Sequence, residues 1–144
     1  MKRLIGTAVC CIICLTSLAA AAGDIEIRGP LFLPIAFITE RGKIMDENHV
    51  LLGRIDKEGI VYDVDNKHLG FIEEDLTVRD VHYKTVATID GNGAVTDGNG
   101  VVVGAVTDTK ISDAEGRPII RYEGPQDKRA ILAYLFFFLG GFPN

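Results

Sequence analysis

Hydrophobic and polar positions return about every 17 residues between Arg41 and Gly124, in the order apolar, any residue, Asp, five variable residues, then apolar-small-any-apolar. The leading apolar position is Ile44, Val61, Val78, Val95 and Ile111, and the Asp is Asp46, Asp63, Asp80, Asp97 and Asp113. Six residues after each Asp stands Leu52, Leu69, Val86, Val103 or Ile119, followed by Gly53, Gly70, Ala87, Gly104 or Ile120. Two further on comes Ile55, Ile72, Ile89, Val106 or Tyr122. Agreement in so many columns marks an internal repeat, which governs how every local segment is read. Ile27, Ile35, Ala36 and Ile38 stand 17 residues ahead of Ile44, Leu52, Gly53 and Ile55, so the chain before Arg41 is a diverged first copy with Gly29 where the others have Asp.

Within a copy the local signals are those of short strands. Gly59–Asp63 and Leu69–Glu73 are rich in β-branched and aromatic residues and too short for helices. Between such runs lie turn residues, clearest in Asp90-Gly91-Asn92-Gly93 and Asp97-Gly98-Asn99-Gly100, where Gly and Asn accept the positive φ of tight hairpins. Two turns per copy predict an antiparallel meander of about ten to twelve strands of about five residues. Alternation assigns an inward set: Ile44, Val61, Val78, Val95 and Ile111 on first strands, and Gly53 with Ile55, Gly70 with Ile72, Ala87 with Ile89, and Gly104 with Val106 on second strands. A small residue recurring at one inward position predicts strands that crowd neighbouring backbone near a common axis, a radial arrangement of hairpins.

Gly124-Pro125 ends the repeat domain, 23–124, and the segment 125–144 changes period. Asp127 is a helix start, Ala130–Leu139 is apolar on every side, and Gly140-Gly141 stops it. About ten residues rise only about 15 Å, half a bilayer core, so this helix does not span a membrane. Its large side chains Ile131, Leu132, Leu135, Phe136, Phe137, Phe138 and Leu139 are expected to plug or cap the open end of the repeats within one molecule, the alternatives being a homo-oligomer contact or an interfacial membrane foot.

At the other end, Met1-Lys2-Arg3, an uncharged apolar run and Ala19–Ala22 have the three parts of a secretory signal peptide, residues 1–22, with cleavage expected near Gly23. Cys10, Cys11 and Cys14 all leave with it. The exported chain, placed in the periplasm, on the outer surface or outside the cell, then has neither disulfides nor a thiolate nucleophile. Without Lys2 and Arg3 it carries 13 basic and 20 acidic residues, about −7, which argues against nucleic acid as a partner.

The hairpin-length copies with their Asp, the Leu-Gly or Val-Gly pair and the following Ile, set between a signal peptide and an aromatic C-terminal segment, resemble the β-flower proteins, specifically the five-fold kind. The resemblance covers about residues 25–139 and implies an all-β fold of about five to six radial β-hairpins plus one short apolar helix. It brings no catalytic or cofactor-binding residues, because the family has no established activity. Whether the ring counts five units or six stays open at this level.

Asp46, His49, Asp63, Asp65, His68, Asp80 and His82 are of the types that bind calcium or zinc, but a strand-end Asp is explained by hydrogen bonds within its own turn. The histidines share no repeat column. Ser112, the one serine after the leader, reads as exposed with no histidine near it. The expectation is therefore no catalytic, cofactor or metal site. The chain reads as an exported binding or interaction module holding a protein or glycan by variable turns such as Glu47-Asn48-His49 and Val81-His82-Tyr83, or else as a structural subunit that oligomerises or touches membrane through its apolar helix.

Overall fold

A computed structural model describes residues 23–125 and 127–143; the signal-peptide reading of 1–22 and its three cysteines lie outside the described residues. Twelve strands follow one another: β1 Ile25–Arg28, β2 Pro34–Ile38, β3 Lys43–Asp46, β4 Leu51–Ile55, β5 Ile60–Asp63, β6 His68–Ile72, β7 Val78–Asp80, β8 Thr85–Ile89, β9 Ala94–Asp97, β10 Val102–Val106, β11 Lys110–Asp113 and β12 Pro118–Glu123. Each pairs antiparallel with its neighbours in sequence, and β1 pairs with β12 (Ile27 opposite Tyr122), so the meander closes into a barrel. Closure leaves no unpaired edge, which matters for a sheet of strands this short. The diverged copy supplies β1 and β2, so the ring holds five patterned hairpins and a sixth that completes it.

The repeat acts through register. Across each patterned hairpin the leading apolar residue faces the small column: Ile44 opposite Gly53, Val61 opposite Gly70, Val78 opposite Ala87, Val95 opposite Gly104, Ile111 opposite Ile120. Between hairpins it faces the next apolar column, Ile55 opposite Val61 and Ile72 opposite Val78. These residues are buried, as the alternation requires, except Ile89, which is half-exposed. Ser112 departs from its expected exposure. It lies between Ala105 and Pro118 on the two flanking strands and is buried.

One helix, α1 Lys128–Phe137, follows the barrel. The Asp127 side chain caps it by accepting from the Ala130 N–H at 3.2 Å. All six residues Ala130–Leu135 are buried, on every side of the helix. Arg129 donates to the Ile72 carbonyl at one end of the barrel. Farther along, the Phe137, Phe138 and Phe142 rings stand against Gly70, Gly53 and Gly104, which belong to three different strands. The helix therefore occupies the axis of the ring, a plug set within it and not a lid laid over its open end. Ile131, Leu132 and Leu135 are buried inside, Phe136, Phe137 and Phe138 are half-buried, and Leu139 is left 41% exposed where the chain emerges. Full burial of each large side chain stabilises by about 1.5–3 kcal/mol. Gly140 and Gly141, at φ +97° and +82°, then turn the chain so that Phe142 returns against Phe136, ring centroids 5.9 Å apart.

The small column owes its size to two neighbours. A Cβ on Gly53, Gly70 or Gly104 meets the carbonyl oxygen of the next strand (Tyr62, Arg79 or Ser112) and also the ring of Phe138, Phe137 or Phe142. Strand crowding was legible in the sequence; the ring in each notch was not. Gly91, by contrast, has open space around the same position and no positive φ. Gly70→Ala is accordingly predicted to lower stability by about 1–3 kcal/mol in chemical denaturation, while Gly91→Ala should be neutral or stabilising by up to about 1 kcal/mol. Equal tolerance of the two changes would show that the notch is not packed.

Candidate functional site

Six turns lie at one end of the barrel, and they share one construction. In the turn after β3, Asp46 Oδ1 accepts from the N–H groups of Asn48 and Val50, both at 2.9 Å, and the Asp46 carbonyl accepts from the His49 N–H. Asp63, Asp80, Asp97 and Asp113 repeat this bonding two and four residues on. The pattern is a type I turn followed by one residue in the left-handed region and a β-bulge, and an Asp at its first position satisfies the turn's free N–H groups. At Asp113 partial desolvation pulls the carboxyl upward, but the N–H and guanidinium of Arg117 and the Glu115 N–H outweigh it and hold the group below its ordinary value. The five Asp residues are thus one per hairpin, spread round the rim and bonded to their own turns. Asp56 and Asp90 bond their turns in the same way at the opposite end.

The left-handed position is occupied in chain order by Phe32, His49, Asn66, Tyr83, Gly100 and Gly116, with φ between +61° and +82°. Glycine adopts this conformation freely, whereas other residues lose about 1–2 kcal/mol. The four that are not glycine share a compensating contact. Each side chain folds back onto the outward residue of the preceding strand: Phe32 over the Arg121 guanidinium at 4.4 Å, His49 stacked on Phe37 at 4.5 Å, Asn66 Oδ1 accepting from Arg54 at 3.5 Å, and Tyr83 edge-on to Phe71 at 4.8 Å. Where the turn residue is Gly100 or Gly116, the same strand column holds Thr88 and Ala105. Large pairs with large and small with small, so the turn of one hairpin clasps the hairpin before it. Neither column alone signals this; only comparison of each turn residue with the one eleven or twelve positions before it does.

The clasps make the outer wall unequal. From β4 to β8 it is a connected set of rings and guanidinium groups: Arg54 over Tyr62 at 4.0 Å, Tyr62 beside His68, His68 beside Phe71, and Phe71 against Tyr83. Arg79 is tied in by bonds to Thr85 Oγ1 at 2.9 Å and to the Tyr83 carbonyl. The other side, β8–β11, presents Thr88 opposite Thr96 and Ala105 opposite both Ala94 and Ser112. His68 Nε2 lies 3.0 Å from the Gly70 carbonyl, and His82 gives its backbone N–H to Asp80. No group of three or more His, Cys, Asp or Glu side chains converges among the described residues. Burial pushes the Tyr122 phenol up to about 12, with Asp108 adding to it, and its hydroxyl donates to the Thr107 carbonyl inside the structure.

A closed ring of antiparallel hairpin repeats around an axial apolar helix, with each turn bonded within itself, defines a class of β-repeat scaffolds. Residues 35–138 match the family described as 5-fold beta-flower protein, and the chain belongs to that family. No curated protein and no solved structure matches it.

The clasp carries a prediction. Tyr83→Gly relieves the left-handed strain but removes the contact with Phe71, whereas Phe71→Ala removes the contact and leaves the strain. Phe71→Ala is expected to cost more stability than Tyr83→Gly, by about 1–2 kcal/mol in chemical denaturation. Equal losses from the two changes would mean that Tyr83 is not strained in its turn.

Proposed function

We propose that the protein is an exported, non-catalytic binding module of the cell envelope or exterior, and that it holds a protein or glycan against the aromatic and arginine-rich outer wall between β4 and β8. The observation that carries this reading is the asymmetry of the wall. The repeats are alike on the inside, yet on the outside one arc bears Arg54, Tyr62, His68, Phe71, Arg79 and Tyr83 while the next bears Thr88, Ala94, Thr96 and Ala105. The turns at Gly100 and Gly116 close with no such contact, so the ring can be completed without an arc of this kind. Tyr and Arg are the residues that most often carry binding energy at protein surfaces, and Tyr83 is 70% exposed. Export rests on the leader 1–22.

A second reading, a structural subunit that joins copies of itself, draws on the apolar turns of the rim. Its helix-mediated form has little surface left, because α1 lies inside the ring and only Leu139 of its large residues is exposed. No described helix is long and apolar enough to cross a membrane.

The test pairs two measurements. Intact mass of the native protein should begin at Gly23; an intact Met1 on a cytoplasmic product refutes export. Immobilised protein, exposed to the envelope fraction and to a panel of glycans, should retain a ligand that is lost with Tyr62→Ala plus Tyr83→Ala and kept with Thr88→Ala plus Thr96→Ala. Retention unaffected by the first pair, in a folded variant, places binding elsewhere.

A further inference from the structure

The exposed large apolar side chains of the described residues gather at one end of the barrel. Leu31, Phe32 and Leu33 project from the turn between β1 and β2, Val50 and Leu51 from the next, and the Asp-turns farther round carry Val64, Val81, Tyr83, Val101 and Val102, with Leu139 emerging at the centre. None of these exposed large apolar residues belongs to the turns of the opposite end; the rim turns after β3, β5, β7 and β11 also expose charged residues such as Glu47, Lys67, Lys84 and Arg117, whereas the turn between β1 and β2 exposes none.

Within this face one loop stands out. Gly29–Thr39 contains no ionisable residue, and Pro30 and Pro34 bracket Leu31-Phe32-Leu33. The loop is held by bonds from the Gly29 N–H to the Leu33 carbonyl and from the Phe32 N–H to the Gly29 carbonyl, and by Phe32 lying over Arg121. Leu31 at 82% and Leu33 at 65% exposure are therefore fixed in water rather than free to fold away. Beside the loop is a depression of about 390 Å³ lined by Gly29, Pro30, Ile35, Ile119, Leu139, Gly140, Gly141, Phe142 and Pro143, nearly all of it apolar. Since Pro30 forms part of its wall and Leu31 and Leu33 stand exposed, the loop does not fill the depression of its own chain.

We propose that this face is the interface of a homodimer, in which the Leu31–Leu33 loop of each copy seats in the depression beside the loop of the other. A protruding apolar loop and an apolar hollow at a fixed offset on one face are self-complementary under a two-fold axis, and such an isologous contact closes at two copies. The size also fits. Twelve strands spaced about 4.8 Å and tilted about 40° make a ring about 12 Å in radius, or a face of about 800 Å² once side chains are added. That is about what each partner contributes to a standard stable interface. The loop and the hollow lie by β1, β2 and β12, and of the wall between β4 and β8 only Tyr83 also belongs to this face, so Tyr62→Ala probes the binding function alone and Leu31→Asp plus Leu33→Asp the dimer alone.

The purified protein is predicted to sediment as a dimer at micromolar concentration. Leu31→Asp plus Leu33→Asp should weaken association by about 10²- to 10³-fold, as expected for loss of two central apolar anchors, without lowering the melting temperature. Because no cysteine follows Cys14, Leu33→Cys combined with Pro143→Cys provides a second readout: oxidation should give covalently linked pairs of chains. A wild-type protein that remains monomeric up to the highest soluble concentration overturns the proposal. So does a protein that is monomeric alone and cosediments with phosphatidylcholine vesicles through Leu31 and Leu33, because the face is then a lipid contact.

Discussion

A sheet of twelve strands closed on itself encloses more room than its own side chains fill, since about eight strands already give an interior just wide enough to be packed. A helix with its side chains is about 10–12 Å across, and α1 takes up that room here. The fit is made at single residues: Phe137 in the notch at Gly70, Phe138 at Gly53 and Phe142 at Gly104. Ring and helix each depend on the other. The strands are only three to six residues long, and a ten-residue helix apolar on all sides is not stable in water alone.

Much of this was legible because repetition multiplies weak signals. One Asp before a turn means little, but Asp46, Asp63, Asp80, Asp97 and Asp113 at nearly constant spacing specify one turn, and the two-residue alternation then assigns Ile44 and Val61 to the inside. What was not legible depended on contacts between distant segments. Apolarity alone made α1 a segment to be buried, by plugging or capping the ring or by a partner, but gave neither its depth in the ring nor the glycines it meets. Phe142 lay beyond the glycines taken as the end of the helix, and only the reversal at Gly140-Gly141 brings it to Gly104. Ser112 faces outward by alternation, yet neighbours on both ladders cover it.

The clasps show a second level of organisation, between hairpins instead of within them. A left-handed Tyr83 or Phe32 is unfavourable taken by itself, and each is held by the hairpin before it. The same contacts set Tyr62, Phe71 and Tyr83 into one rigid arc, so an arrangement that secures the ring also fixes the orientation of its exposed rings. Rigid aromatic groups lose little conformational freedom when a ligand covers them, which is the physical basis for reading the arc as a binding surface.

The central claim is that ring and axial helix form one cooperative unit, and native-state hydrogen exchange tests it most directly. If the claim holds, the amides of Leu132–Leu135 exchange only through global unfolding, with the same free energy as those of Val61 and Ile72 on the strands. Helix amides that exchange through a cheaper local opening while the strand amides stay protected would contradict it, because the ring would then stand without its filling.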